Sequence, residues 1–356
     1  MKSASPHWRT RQGCASERPR CGRCTTTKGG VVDVSMGEPR RGLVLGAGGV
    51  LGAAWMMGAL SAVRDAYDWD PRDAEVIVGT SAGSVIAALL GAGLSVDTLI
   101  NHQRGVVVPG DPKIDFDHDT AAGGALPPRP QLRMGSRALI ARKLRHPKDV
   151  STMAMLAALA PRGRGNLTAI AELIHNANPD GEWPTDPQTW VVAMDYDSGR
   201  RVAFGREGEP RATLSEAVVA SCSIPAWYAA AQINGRRYID GGTLSPTSID
   251  LVAGLGLDEV IVLTPMASFD YDQPASVVGR LERRFRRAMT RRVLLEAGKV
   301  RRRGTPVTIL GPGREDLEAI GVNLMDHRRR TTVLETALRT SAAALAGPDA
   351  TLPAAG

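Results

Sequence analysis

The sequence predicts an α/β fold: a mostly parallel central sheet flanked by helices in three layers, with a helical insertion over it as lid or substrate wall. Two observations predict it. Short β-branched runs alternate with apolar, Ala-rich segments, the rhythm of strand–helix–strand units that build a sheet covered on both faces. The 356-residue chain is also 43% hydrophobic, enough to bury one large core.

The elements follow in order. "RGLVLG" is a buried strand, and after a glycine cluster "AAWMMGALSAVRDA" reads as a helix. "AEVIVGTS" is the second strand and "AGSVIAALLGAGL" the second helix, ended by glycines. Later strands are expected at 189–197, 200–205, 258–265 and 305–312. Between Gly105 and Pro187 no strand is expected; residues 106–133 read as loop and 135–178 as broken helix. This gives one domain at 39–345 with an insertion at about 105–187, a disordered basic tail at 1–38 and a disordered tail at 346–356. Met36 offers an alternative start.

Gly42–Val63 is uncharged over a length that could span a bilayer, but it holds six glycines, which suit a strand, a tight loop and a helix better. The N-terminus lacks an apolar run, so no signal peptide is expected and the protein is read as cytoplasmic. Cys21 and Cys24 have metal-ligand spacing near Cys14 and His7, but their Arg, Ser, Thr and Gly flanks read as disordered tail; no metal or cofactor is expected.

The formal net charge of +7 is unevenly spread. Residues 1–35 carry +5 and residues 280–303 carry +9, so the remainder is acidic. A basic segment favours an anionic partner. Nucleic acid is not expected, because no binding motif accompanies the charge and aromatics are 4% of the chain. Leu281, Phe285, Met289 and Val293 recur every four residues among the arginines. The segment reads as a helix packing that stripe on the sheet domain, with peripheral contact to an anionic membrane at its inner face as a secondary role.

The chemistry centres on Gly79-Thr80-Ser81-Ala82-Gly83. A nucleophilic serine needs a sharp strand-to-helix turn, with small residues two before and two after it. The helix that follows aims free N–H groups and its positive dipole end at the serine. Acyl transfer also needs donors for the oxyanion. One is the amide of Ala82; the others come from the loop Gly46-Ala47-Gly48-Gly49-Val50-Leu51-Gly52. That loop fails the dinucleotide spacing, because Leu51 stands where the last glycine is required, and no Walker A sequence is present. The base is a carboxylate, Asp240, ahead of Gly241-Gly242 and behind strand-like "GRRYI". Of six histidines, His327 could complete a triad in the order Ser81, Asp240, His327.

Together, "LVLGAGGVLGAAW", "VGTSAGSVIAALLGAG" and "ASCSIPAWYAAAQINGRRYIDGG" resemble the patatin-like phospholipase family over roughly residues 40–265. The resemblance implies a serine hydrolase acting on lipid acyl esters through a Ser81–Asp240 dyad, with Gly48 and Gly49 as oxyanion donors and no metal. It also implies that "SCSIPAWY" lines the acyl site, with Pro225 at its turn. Ala47 and Leu51 replace a glycine and a basic residue of the family's usual loop. Ala47 is tolerable if its φ is negative. Leu51 removes a cation, which weakens a phospholipase reading more than an esterase one. The alternatives are an α/β-hydrolase-type esterase using His327, and a non-catalytic, membrane-associated patatin-fold binding protein.

Overall fold

The computed structural model describes residues 38–109, 128–269 and 277–347. The cysteine-bearing basic tail, Met36 and residues 348–356 lie outside the described residues.

The central sheet starts with β1 (Arg41–Leu45) and β2 (Val76–Thr80), which pair in parallel. On the other side of β1 lie β9 (Glu259–Leu263) and β10 (Val307–Leu310), also parallel. Beyond β2 comes β5 (Gln188–Asp195), again parallel. The far end is antiparallel: β6 (Arg201–Phe204) and β8 (Arg236–Asp240) both pair β5, and β7 (Ala231–Ile233) pairs β8. The β7–β8 hairpin, absent from the sequence reading in its first strand, turns on Asn234-Gly235, both at positive φ. That is the signature of a two-residue turn matching strand twist.

The apolar runs are continuous because both faces are buried. Leu43, Leu45, Ile77, Val191, Ala193, Ile261 and Leu263 point into one core layer. Val44, Val76, Val78, Trp190, Val192, Val260 and Val262 point into the other. Over the first face lie α1 (Gly49–Tyr67), α2 (Ala82–Gly91), α3 (Val96–Arg104), α7 (Leu214–Cys222) and the C-terminal α10 (Arg330–Ala346), which packs along α1. Over the second lie α8 (Val277–Arg301) and the turn at Ile249–Val252. Among the described residues no helix is long and apolar enough to cross a membrane. Gly42–Val63 resolves into β1, the glycine loop and the start of α1.

The insertion departs from expectation. It holds α4 (Arg137–Arg145), α5 (Thr152–Leu159) and α6 (Thr168–Ala177), with Ser136 and Ser151 capping the first two. It also holds a small antiparallel pair, β3 (Gln131–Met134) and β4 (Pro161–Arg162), where no strand was expected. Neither strand has the apolar run or alternation that marks a strand in sequence. Residues 110–127, most of the expected loop, lie outside the described residues.

Helix α8 corrects the expected packing stripe. Of Leu281, Phe285, Met289 and Val293, only Val293 is buried; Leu281 is 67% and Phe285 43% exposed. The buried row is Arg286, Thr290, Val293, Ala297 and Val300, recurring every three to four residues. A strict four-residue count drifts off the 3.6-residue turn, and buried polar groups hid the true face. Arg286 is satisfied by Glu282 and by the carbonyl of Pro265 at 2.6 Å. The adjacent, fully buried Glu296 accepts hydrogen bonds from Ser245 Oγ at 2.8 Å, Arg292 Nε at 2.7 Å and Thr247 Oγ1 at 3.5 Å.

Candidate active site

The sheet register brings Ser81 and Asp240 together. β6 occupies one edge of β5, so β2 and β8 share the other edge. β2 runs parallel to β5 and ends with Thr80 opposite Val192. β8 runs the opposite way and ends with Asp240 opposite Ala193. Two strand ends therefore meet head to head on adjacent residues of β5. Ser81 follows the first and Asp240 closes the second. A wholly parallel sheet would hold these ends apart.

Ser81 caps α2 at positive φ, with φ 53° and ψ −122°. L-residues adopt such a conformation at a cost of order 1–3 kcal/mol, and it is the mark of a nucleophile elbow. The two glycines of the motif are dictated by contact. A Cβ on Gly79 would lie 2.5 Å from the Gly83 carbonyl oxygen, and a Cβ on Gly83 would strike the Leu45 carbonyl. The elbow is also tied from below: the Ser81 N–H donates to Ser221 Oγ at 2.8 Å, and that hydroxyl donates to the Val192 carbonyl at 2.6 Å. Ser221, on α7, is fully buried; the sequence reading placed it in the segment lining the acyl site, whereas it lies beneath the elbow and not among the cavity-lining residues. The signal was a serine inside the apolar run "AVVASC". Ser221→Ala would leave a buried N–H and a buried carbonyl unpaired, costing about 1–3 kcal/mol. The expected result is a lower denaturation midpoint at unchanged m-value, read by urea titration.

Asp240 is 6% exposed. Its carboxylate accepts a hydrogen bond from the Ser81 side chain and one from the Gly242 N–H at 2.7 Å. Burial outweighs both and raises its pKa to about 6. The glycines that follow are again matters of space. A Cβ on Gly241 would lie 2.5 Å from the Val192 carbonyl, and one on Gly242 would lie 2.9 Å from Asp240 Oδ1.

Backbone hydrogen bonds hold the start of the glycine loop. Gly46 N–H bonds the Leu263 carbonyl, Gly46 O accepts from Gly83 N–H, and Ala47 N–H bonds the Pro246 carbonyl at 2.7 Å. The amides of Gly48, Gly49 and Ala82 bond no described residue of the protein. Gly49 and Ala82 are the first residues of α1 and α2, so two helix N-termini converge beside Ser81. Gly48 is pinned differently: its Cβ would lie 2.5 Å from Pro265, the residue held by Arg286. Ala47 is not among the positive-φ residues, so its methyl carries no backbone strain. Leu51 is fully buried in the core, its N–H on the Leu324 carbonyl, and presents no group to the site.

Ser81, Gly49 and Ala82 border one cavity, roughly 800 Å³ with its solvent-open mouth. Val50, Ala53 and Met57 of α1 wall one side; Val85 and Leu89 of α2 wall another. The insertion contributes Leu167, Ile170 and Leu173, so α6 is a wall of the cavity. Cys222, Ile224 and Tyr228 line it too, around the turn where Ala226 has φ 67°. Burial raises the Cys222 thiol far above its usual range, which keeps it a neutral packing group. His327 starts a 3₁₀ turn before α10 and is not among the residues lining the cavity; the histidine that lines it is His102 on α3.

A family model for patatin-like phospholipases matches residues 43–253, more than half of the chain. The chain belongs to the patatin-like phospholipase family. Among solved structures it is similar to VipD from Legionella pneumophila, at 13% identity and a TM-score of 0.37, covering 84% of this chain and 67% of that one. It is also similar to the type III effector protein ExoU, at 16% identity and a TM-score of 0.35, covering 86% of this chain and 53% of that one. The chain thus spans about half the length of ExoU. In a further structure, ExoU from Pseudomonas aeruginosa is in complex with SpcU; there the identity is 17%, the TM-score 0.30, and the coverage 85% and 53%. No curated protein sequence matches this chain.

Proposed function

We propose that this patatin-like protein hydrolyses carboxylic esters of lipids through a Ser81–Asp240 dyad. One observation carries the proposal. A buried carboxylate with a raised pKa accepts the hydrogen bond of a strained, elbow-borne serine at the rim of an apolar cavity. Ser81 Oγ attacks the ester carbonyl as Asp240 takes its proton, and the amides of Gly48, Gly49 and Ala82 hold the oxyanion. Asp240 returns that proton to the leaving alcohol, then activates the water that releases the acyl group. The raised pKa serves this cycle, because a carboxylate near 3.8 would be a weaker base toward an alcohol.

The lining is apolar over two turns of α1 and of α2, a span of about 12 Å from the reacting end. It suits a medium-length acyl chain. Outside the cavity, α8 exposes Leu281 and Leu295 beside Arg280, Arg284 and Arg291. These charges are suited to an anionic lipid surface that would present substrate at the cytoplasmic face.

The test is labelling by a fluorophosphonate, which reacts only with a serine activated in a formed oxyanion hole. Wild type is expected to label and Ser81→Ala not to. Equal labelling of both would remove Ser81 from the mechanism. Silence of both, with anionic vesicles present as well as absent, would favour a binding protein. His102→Ala and His327→Ala are expected to retain labelling. Its loss in His327→Ala would restore the triad.

A further inference from the structure

The insertion carries a second basic segment. Residues 129–164 hold nine Lys and Arg against one acid, Asp149, a net +8. Asp149 faces Arg142 at 3.8 Å. Arg133, Arg137, Arg145, Lys148, Arg162 and Arg164 pair with no acid among the described residues. These cations share the insertion with apolar side chains left in the open. Leu132 on β3 is fully exposed and Leu144 on α4 is 76% exposed. On α5 the usual pattern of a surface helix is inverted. Its small residues, Ala154, Ala157 and Ala158, are buried against Met194, Tyr196 and Ile239, while the larger Met153, Leu156 and Leu159 are exposed. The helix is fixed in this orientation. Tyr196 OH donates to the Ala157 carbonyl at 2.7 Å, and the Gly135 N–H donates to the Ala160 carbonyl at 2.9 Å. Large apolar residues on the outer face of a helix, where polar ones belong, mark a surface for an apolar partner.

Met194 lies two residues beyond Val192 on β5, so both side chains leave the same side of the sheet. Val192 belongs to the layer covered by α8, and Met194 to the layer covered by α4 and α5. The two basic segments, more than a hundred residues apart in sequence, therefore lie on one face of the sheet. The insertion is also tied to the cavity. Gly165, just past β4, donates its N–H to the Trp227 carbonyl and accepts from the Ala229 N–H, each at 2.9 Å. Tyr228, between those partners, and Leu167, two residues beyond Gly165, both line the cavity.

We propose that the α4–α5 insertion docks on an anionic phospholipid bilayer, with Met153, Leu156 and Leu159 at the boundary of headgroups and acyl chains and the cations among the phosphates. Charge selects an anionic partner, and the exposed leucines select among anions. A nucleic acid would meet the cations but leave leucine and methionine in water, and single strands are held by aromatic stacking, for which residues 129–164 have no aromatic. A second copy of the chain would bring +8 against +8. Delivery of substrate from the bilayer rests on the hydrolase reading; the docking itself does not.

The experiment uses the full chain carrying Ser81→Ala, so that lipid is not turned over. Co-sedimentation is measured with vesicles of phosphatidylcholine, alone and mixed with phosphatidylserine. Binding is expected on the mixed vesicles and is expected to weaken with salt. Arg145→Gln, Lys148→Gln and Arg164→Gln together should weaken it on the order of a hundredfold, at about fivefold for each charge. Leu132→Gln with Leu156→Gln should weaken it about tenfold. All five side chains are exposed, so neither variant removes core packing. With Ser81 restored, both variants should keep wild-type kcat/KM on soluble p-nitrophenyl butyrate and lose turnover of vesicle lipid.

Failure of wild type to bind mixed vesicles overturns the inference, whether the face ignores lipid or is covered by the acidic stretch 111–119. A leucine variant that binds like wild type would make the segment a general polyanion site and overturn it too. So would a lipid-free dimer that the leucine variant dissolves, which would give the face to a second copy. Binding lost in Arg284→Gln with Arg291→Gln on α8, but kept in both insertion variants, would move the contact to α8 alone. Vesicle binding without fluorophosphonate labelling of wild type would keep the docking face and sink the hydrolase reading. Labelling without vesicle binding would do the reverse.

Discussion

Asp240→Asn is expected to abolish ester turnover and, at neutral pH, to stabilise the protein. Both effects have one cause. The carboxylate is buried against α2 and the glycine loop, where its charged form is poorly solvated, and its pKa rises from 3.8 to about 6. An unfolded aspartate ionises near 3.9. Below about pH 4 both states hold the proton and the group contributes no difference. Between about pH 4 and 6 the unfolded chain releases its proton while the folded state keeps it, so stability falls as pH rises. Above about 6 the full cost remains, ~3 kcal/mol for a shift of roughly two units. Asparagine avoids that cost and still offers an amide oxygen to the Gly242 N–H. Thermal melts from pH 4 to 8 should therefore show wild type and Asp240→Asn converging at the acid end and separating above pH 6, with the variant higher. A variant melting below wild type at pH 8 would show that the carboxylate is held by favourable contacts and is not a strained base. In kinetics the same number sets the acid limb: wild-type kcat/KM should fall below about pH 6 as Asp240 takes up its proton. Loss of a positioned base costs up to about 10⁴-fold, so the variant's residual rate should be at least a hundredfold down.

Much of this site was legible because its motifs are steric. Gly79, Gly83, Gly241 and Gly242 are where they are because a Cβ would enter a neighbour's backbone or the carboxylate itself. A glycine required by contact cannot be replaced cheaply, so it stands out in a single sequence. The alternating strands and helices were legible for a similar reason: both faces of β1, β2, β5 and β9 are buried, and such strands cannot disguise their apolar runs. What escaped was set by partners distant in sequence. Ser221 acts through Ser81, 140 residues away, and nothing near it announces that. The face that α8 buries carries Arg286 and Glu296, which a hydrophobic count assigns to solvent. Their partners, the Pro265 carbonyl and Ser245, lie 21 and 51 residues away in sequence. β3 and β4 pair over a handful of residues that carry no apolar run or alternation to read.

The steric account makes a second large prediction, with its own internal control. Gly83→Ala is expected to destroy the site, whereas Gly298→Ala, the same substitution in α8, is expected to stabilise the fold. At position 83 the new methyl would enter the Leu45 carbonyl and lie 2.8 Å from the Gly46 carbonyl, both backbone atoms of β1 and the glycine loop. Neither can swing aside as a side chain does. α2 and the loop must separate, which breaks the Gly83 N–H bond to the Gly46 carbonyl, 3.2 Å long in the intact site. Forced overpacking of this kind costs about 1–3 kcal/mol or more. The displacement falls between the Ala82 amide and those of Gly48 and Gly49, so the donors no longer converge on one oxygen. A misplacement of about 1 Å in such a constellation costs on the order of a hundredfold in rate. Position 298 has an ordinary helical backbone, and the nearest atom to a new Cβ is the mobile end of Arg302 at 3.5 Å. Replacing an interior helix glycine there should gain about 0.5–1 kcal/mol. Parallel urea titrations and fluorophosphonate labelling rates of the two variants decide the matter. Gly83→Ala that labels like wild type would mean the oxyanion donors lie elsewhere than the junction of β1, the glycine loop and α2.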